Sequence, residues 1–164
     1  MLLQLVSVQS AAAASDRGIS FLEQRFESWP QWSLPAPLPR PRAKQDLIYP
    51  DWFSGTWEVT SEALDDSGQP IPNDPPLVHE VRFLRNRRSE LIGDRPFNAA
   101  AVGKALLGEQ LLSVEQDSNQ VNRQLARFRD DVLLETTVIG RRETSPKEAT
   151  DFFSDELVLQ ILHG

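Results

Sequence analysis

The stretch from Tyr49 to Ser61, YPDWFSGTWEVTS, constrains the fold of this chain more than any other. Two bulky aromatic residues, Trp52 and Phe53, stand just ahead of Gly55, a residue that permits a sharp bend of the backbone. After the glycine, apolar and polar residues alternate. An alternation of period two that is rich in β-branched and aromatic residues predicts a half-buried strand. We therefore expect a β-domain that begins here, with Trp57 pointing inward and the aromatic residues closing its bottom.

The composition suits one domain with appendages. The chain has 164 residues, of which 40% are hydrophobic and 25% charged, so it can bury a core. Its net charge of −7 disfavours binding to nucleic acid, and the absence of cysteine excludes disulfides and thiolate chemistry. Four arginines do gather between Arg82 and Arg88, and we interpret them as the solvated end of a strand and its turn.

The first residues, 1–14, resemble the end of a signal peptide. A short apolar run is followed by the small residues Ser10–Ser15, and we expect cleavage near Ala14. No basic residue precedes the apolar run, so we expect either a longer leader that starts further upstream or an ordinary frayed terminus. The leader predicts an exported protein, and no apolar run reaches the roughly 20 residues that a transmembrane helix needs.

Residues 15–48 are predicted to form a short amphipathic helix and a proline-rich arm. Over residues 16–29 the apolar positions recur at three- and four-residue spacing. The arm that follows carries Trp32 and five prolines without a PxxP motif, which indicates a semi-rigid spacer. The helix either covers the domain or docks on a partner or a membrane surface. The docking residues would be Ile19, Leu22, Phe26, Trp29 and Trp32.

The remaining chain, 49–164, reads as further strands and one or two short helices. We predict a strand at 77–83, a helix over 99–107 capped by Asn98 and ended by Gly108, and a strand around 112–114. A hairpin joins 123–129 to 132–139 through an Asp130-Asp131 turn. The last residues, 151–164, are predicted to form a helix capped by Ser154.

The expected fold class is therefore mainly β, an antiparallel barrel or a strongly curved sheet. The strands that we identify are fewer than the roughly eight of a closed antiparallel barrel. A sequence truncated at its C-terminus is the explanation that we favour, and strands with weak patterns are the alternative.

Gly55-Thr-Trp57, preceded by aromatic residues, resembles the motif that opens the first strand of lipocalins. More of the chain is similar to an uncharacterised family of cyanobacterial and plastid thylakoid-lumen proteins with a lipocalin-like β-barrel domain. The similar segments are 49–61, 93–98 (GDRPFN), 122–124 (NRQ), 137–141 (TVIGR) and 151–164. The resemblance implies a lipocalin-like fold and a lumenal or periplasmic location. It implies no activity and no catalytic residues.

The sequence predicts no catalytic residue, no metal site and no cofactor. Of the two histidines, His79 lies on the apolar face of its strand, where a lone histidine more often lines a core than catalyses. No serine-nucleophile motif or phosphate-binding loop is present. A barrel interior would nevertheless form an apolar cavity with one titratable group, which is a usual composition for a ligand pocket. Its lining would be Trp57, Val59, His79, Val81, Phe83, Phe128 and Leu134, together with Ala126. These side chains either bind a ligand or simply fill the interior.

Three functions follow from these patterns together with what the resemblance implies. The first is a non-enzymatic lumenal accessory protein that docks a membrane complex of the photosynthetic apparatus through the helix and the arm. The second is a carrier of an apolar ligand such as a lipid or a pigment. The third is an enzyme similar to the tetrapyrrole (bilin) lyases, some of which use lipocalin-like barrels.

Overall fold

The computed structural model describes residues 39–63, 65, 69–143, 152 and 154–164. The predicted leader, the predicted amphipathic helix and the five predicted docking residues lie outside these ranges. Within them the protein is mainly antiparallel β with one α-helix, as the alternating patterns predict. No helix in these ranges is both long and apolar enough to span a bilayer.

The first sheet has three antiparallel strands: β1 (Gly55–Ser61), β2 (Leu77–Arg85) and β3 (Leu91–Gly93), in that order. A single 3-10 turn, Asp51–Phe53, leads into β1. Gly55 stands between them with φ of 111°, a conformation that disfavours side chains with a Cβ. The predicted bend at this glycine and the strands on either side of the long 62–76 connection are confirmed.

One helix, α1 (Arg95–Leu107), follows β3 and packs against both β2 and β4. It begins earlier than predicted, because the Asp94 side chain accepts a hydrogen bond from the Phe97 N–H and Pro96 occupies the first turn. Asn98 is therefore not the N-cap. The predicted end is confirmed, since Gly108 stops the helix with φ of 56°.

The second sheet has four antiparallel strands in chain order: β4 (Leu111–Gln116), β5 (Arg123–Phe128), β6 (Leu133–Glu143) and β7 (Ser154–His163). The β5–β6 hairpin has the predicted two-residue turn. Asp130 and Asp131 both adopt positive φ, of 60° and 59°, which is the pattern of a type I′ turn. Its backbone twist matches the strands, so the turn forms without glycine.

The predicted terminal helix is wrong, because residues 154–163 form strand β7. The apolar run Leu157, Val158, Leu159, Ile161 and Leu162 fits a helix stripe, but it fits a strand with two apolar faces equally well. The open edge of β6 offers a ladder of hydrogen bonds over Leu133–Glu143, and pairing with it decides the conformation.

The strands in the described ranges form two separate sheets and no closed barrel. Helix α1 and a network of charged side chains connect the sheets in place of a continuous ladder. The buried apolar residues lie where these elements meet: Leu47, Phe83, Leu91, Leu111, Val138, Ile139 and Leu157. Gly103 of α1 belongs to this contact, since a Cβ there would lie 2.6 Å from Leu111 Cδ2.

Residues 39–48, which the sequence places in the proline-rich arm, are part of the folded unit. Leu47 is almost completely buried, and Ile48 forms an isolated antiparallel bridge to Ile92. The backbone N–H of Tyr49 donates to Leu91 O at 2.8 Å, so this segment runs along β3.

Candidate functional site

The most unusual feature of the interior is a network of charged and polar side chains, which we call the charge network. Its members are Asp46, Arg95, Asn122, Arg141 and Glu156. They come from the 39–50 segment, the first turn of α1, the loop before β5, and the strands β6 and β7. The network therefore joins the 39–50 segment and the start of α1 to the second sheet at one place.

Arg95 forms two ion pairs across the fold. Its Nε lies 2.9 Å from Asp46 Oδ1, and its Nη2 lies 2.8 Å from Glu156 Oε1. All three side chains are largely buried. Pro96 and the Asp94 cap fix the start of α1, and this holds the Arg95 backbone beside the sheet.

Arg141 is the most deeply buried charged member and uses all three of its guanidinium nitrogens. Nε donates to Glu156 Oε1 at 2.8 Å, Nη1 to the backbone oxygen of Gln45 at 3.1 Å, and Nη2 to Asn122 Oδ1 at 2.6 Å. A buried guanidinium is tolerated only when it is paired and hydrogen-bonded in this way.

A β-bulge directs Arg141 into the network. The β6–β7 register shifts between Val138 and Gly140, so Val138 pairs with Val158 while Arg141 pairs with Glu156. Val158 and Glu156 are two residues apart and share one face of β7. Arg141 therefore lies on the same face as Val138, although a spacing of three would place it opposite in a regular strand.

Asn122 holds the 39–50 segment against the sheet. Its Nδ2 donates to the backbone oxygens of Arg42 at 3.1 Å and of Gln45 at 3.0 Å. The backbone N–H of the preceding residue, Val121, donates to Ala43 O at 2.9 Å. Asn122 thus links the 39–50 segment to Arg141 with one side chain.

The electrostatics of the network stabilise its charged forms. Burial opposes the charge on Arg95, but Glu156 and Asp46 outweigh it and raise the pKa of Arg95 above its ordinary value. Burial likewise favours a neutral Glu156, yet the two guanidinium groups lower the pKa of this carboxyl. A carboxylate that is held ionised by two arginines is a weak base, so the network is poorly suited to proton transfer.

An aromatic cluster lies beside the network. Its members are Tyr49, Phe53, Phe83 and Phe152, with ring centroids between 4.7 and 5.7 Å apart in the contacting pairs. Burial and the nearby Glu156 raise the pKa of Tyr49 to about 12. Of the two aromatic residues predicted to close the bottom of the domain, Phe53 belongs to this cluster, whereas Trp52 is exposed.

The predicted barrel lining is split between the two sheets. Cross-strand pairing places Trp57 opposite Val81, Val59 opposite His79 and Gly55 opposite Phe83. One face of the sheet therefore carries the side chains of Trp57, Val59, His79, Val81 and Phe83. Phe128 and Leu134 belong to the second sheet, where Leu134 pairs with Ala126 and Phe128 with Leu111.

The inward orientation predicted for Trp57 is wrong. Its side chain is 47% exposed, and its Nε1 donates to the Phe53 backbone oxygen at 2.8 Å. The indole therefore lies across the 3-10 turn at the surface. The physical reason is that β1 is an edge strand and β3 has only three residues, so the sheet is too small to enclose a side chain so far from its centre.

His79 has an unusual environment within that face. Its Nδ1 is buried and has no hydrogen-bond partner among the described residues, and burial lowers the pKa of the imidazole. An open groove of about 230 Å³ lies elsewhere, lined in part by Arg40, Asn122 and Glu135, and by none of the seven residues predicted to line the barrel.

The charge network was not predicted from the sequence. Arg95, Asn122 and Arg141 lie in three of the segments that carry the family resemblance, and Glu156 lies in a fourth. The polar residues of those segments therefore marked the positions of the network in the sequence. Their convergence was not visible, because Arg95 and Glu156 are 61 residues apart in the chain.

Comparisons with known proteins add one finding. Neither the curated proteins nor the solved structures include a match to this chain. A family model does match residues 41–164, which is most of the chain and includes every member of the charge network. The protein therefore belongs to the family defined by the domain of unknown function DUF6816.

Proposed function

We propose that this protein is a non-enzymatic accessory protein that docks a membrane complex of the photosynthetic apparatus from the lumenal or periplasmic side. The compartment and the kind of partner rest on the family resemblance. The docking element is the N-terminal arm with Ile19, Leu22, Phe26, Trp29 and Trp32. The observation that carries the proposal is the way in which the charge network anchors the end of this arm.

The anchor is made of hydrogen bonds from two members of the charge network and from one backbone N–H. Arg141 and Asn122 donate to backbone oxygens of Gln45 and Arg42, and the Arg141 backbone N–H donates to Pro39 O at 2.9 Å. An extended chain spans at most about 3.6 Å per residue. Trp32 is therefore held within about 25 Å of a fixed point on the domain, and a partner that binds the arm is held close to the domain as well.

The chemistry of the network supports a scaffold more than a reaction centre. Arginine does not deprotonate in proteins, and Glu156 is kept ionised by both of its arginine neighbours. Two positive and two negative side chains satisfy each other, so the network offers little unpaired charge to a substrate.

The test uses the full chain and a truncated chain that begins at Pro39, which keeps the anchor intact. Each is incubated with detergent-solubilised thylakoid membranes, and co-migration with a complex is followed on a native gel. We expect the full chain to co-migrate and the truncated chain not to. A full chain that carries Trp29→Ser and Phe26→Ser should also lose co-migration. The control variant Leu162→Ser, which changes an exposed side chain of β7, should keep it. Co-migration of the truncated chain would show that the arm is not the docking element.

A second function, the carriage of an apolar ligand, is favoured by the unpartnered Nδ1 of His79. Buried nitrogen atoms nearly always have a hydrogen-bond partner, and a ligand with a hydroxyl or an N–H group would supply one. Native mass spectrometry of the protein purified from its source tests this. We expect an added mass that is absent in His79→Leu. If the wild-type protein and the variant both carry no added mass, the carrier function is excluded for protein from that source.

A further inference from the structure

Two exposed tryptophans each contact Phe53 at one end of the first sheet. Trp52 is 44% exposed and stacks on Phe53, with ring centroids 4.1 Å apart. Trp57 is similarly exposed and is hydrogen-bonded to the backbone oxygen of Phe53. Phe53 also contacts Tyr49, Phe83 and Phe152, so both indoles rest on a residue of the aromatic cluster.

Three arginines lie at the same end of the first sheet: Arg85 ends β2, and Arg87 and Arg88 follow on the β2–β3 turn. Arg85 Nη2 lies 3.0 Å from Asp51 Oδ1, which joins the turn to the 3-10 segment that carries Trp52. Arg87 and Arg88 are exposed and form no ion pair with any residue that the structure describes. We call Trp52, Trp57, Arg85, Arg87 and Arg88 the Trp–Arg patch.

We propose that the Trp–Arg patch docks the protein on an anionic lipid bilayer. Indole rings favour the boundary between headgroups and acyl chains, where an apolar ring meets polar surroundings. Guanidinium groups bind lipid phosphates through paired N–H donors. The Trp57 N–H already has its partner inside the protein, so the surface that this indole leaves exposed is apolar ring carbon.

Charge favours a bilayer over other occupants and also sets the orientation. The whole chain carries −7, so most of its surface is repelled by anionic headgroups. Asp51 matches the charge of Arg85, and Glu90 lies at the end of the same turn, so the positive charge that the patch offers comes from Arg87 and Arg88. These two cations lie at the end of the sheet that carries the aromatic residues able to enter the headgroup region. The protein would therefore meet the bilayer with the β2–β3 turn first.

This surface is distinct from the arm of the proposed function. The patch is on β1, on the β2–β3 turn and on residues 51–53, whereas the arm enters the domain at Pro39 beside β6. A single protein that docks a membrane complex through one element could rest on the surrounding lipid through the other, and the two contacts can be tested separately.

The experiment measures co-sedimentation with vesicles of phosphatidylglycerol and phosphatidylcholine in equal parts, and with vesicles of phosphatidylcholine alone. We expect wild-type protein to bind the anionic vesicles, to bind neutral ones much less, and to be released by high salt. Each basic residue near a charged bilayer contributes about fivefold in affinity, so Arg87→Gln with Arg88→Gln should weaken binding about 30-fold. Replacement of Arg127 and Lys104, which are exposed on β5 and α1, removes the same charge elsewhere and should change binding little.

The chain that begins at Pro39 makes the readout specific. The full chain has four tryptophans, and truncation removes Trp29 and Trp32. The tryptophan fluorescence of the truncated chain then reports only the two indoles of the patch. We expect a blue shift on anionic vesicles that Trp52→Ser diminishes, with circular dichroism showing that each variant is folded.

Three results would overturn the proposal. One is equal binding of wild-type protein to neutral and anionic vesicles, and another is an equal loss in the Arg127 and Lys104 control. The third is loss of vesicle binding in the truncated chain, which would make the arm the lipid contact. If anionic vesicles are not bound but the Arg87 and Arg88 variant loses co-migration with the membrane complex, the patch binds an acidic protein surface instead.

Discussion

At the scale of single residues, the fold depends on a few polar side chains that are buried and fully paired. Arg141 uses three nitrogens on three different partners, and Glu156 accepts from two arginines. Burial of such groups is costly, and removal of one partner leaves the others desolvated without compensation. Tyr49, next to them, responds to the same buried charges. These residues therefore give the most direct tests of the structure.

Tyr49 should titrate well above the ordinary range of tyrosine. It is the only tyrosine in the chain, so the ultraviolet absorbance of tyrosinate reports on it alone. We expect a pKa of about 12 in the folded protein and an ordinary value, near 10.0, in urea. Since the folded pKa is the higher one, this group's contribution to stability is complete below pH 10 and is lost as the pH rises towards 12. A native titration near pH 10 would mean that the phenol is not buried beside Glu156.

Glu156→Gln should destabilise the protein by about 3–5 kcal/mol, because it leaves two buried guanidinium groups without their shared carboxylate. Asp51→Asn removes the partner of Arg85 at the surface and should cost at most about 1 kcal/mol. Urea denaturation at neutral pH measures both. The folded state lowers the pKa of Glu156, so the advantage of the wild type over Glu156→Gln should decline as the pH falls below 4.5. Equal costs for the two variants would contradict the network.

At the scale of elements, local periodicity predicts most strands but fails where tertiary pairing decides. β1, β2, β5 and β6 alternate visibly, and the Asp130-Asp131 turn marks its hairpin. The last strand does not alternate, since its apolar residues occupy both faces of the sheet. A helix stripe and a two-faced strand then look the same in the sequence, and only the free edge of β6 distinguishes them.

A pair of leucines in β7 tests strand against helix. In the predicted helix, Leu157 and Leu162 would lie at the two edges of the apolar stripe, about 140° apart, and their replacement would cost similar amounts. In β7, Leu157 is 4% exposed and Leu162 is 68% exposed. We expect Leu157→Ala to cost about 2–4 kcal/mol and Leu162→Ala less than about 0.5 kcal/mol in the free energy of unfolding, measured in urea. Similar costs for the two variants would favour the helix.

At the scale of the whole molecule, the candidate site was beyond prediction for two physical reasons. Its contacts join residues that are far apart in the chain, up to 96 residues in the case of Arg141 and Gln45. In addition, the bulge after Val138 reverses the face on which Arg141 lies, and nothing in the local pattern of 137–141 reveals an extra residue. The sequence could predict that these segments matter, but not that they meet.

The start of the domain gives the last test, because the prolines of the arm suggest a boundary at residue 49 while the structure places residues 39–48 inside the fold. A chain that begins at Tyr49 loses buried Leu47, the Asp46 partner of Arg95, and the backbone oxygens that satisfy Asn122 and Arg141. Loss of a buried leucine costs about 2–5 kcal/mol and disruption of a buried ion pair about 3–5 kcal/mol. Their sum is comparable to the whole stability of a domain, about 5–15 kcal/mol.

We therefore expect the chain 39–164 to unfold cooperatively on heating and the chain 49–164 to show no cooperative transition by circular dichroism. Leu47→Ala in the longer chain serves as the intermediate, since it removes the apolar contact but keeps the network, and its melting temperature should fall between the two. If 49–164 melts like 39–164, the network does not hold the two sheets together. The charge network would then not be a firm anchor for the N-terminal arm, and the docking proposal would lose the observation that supports it.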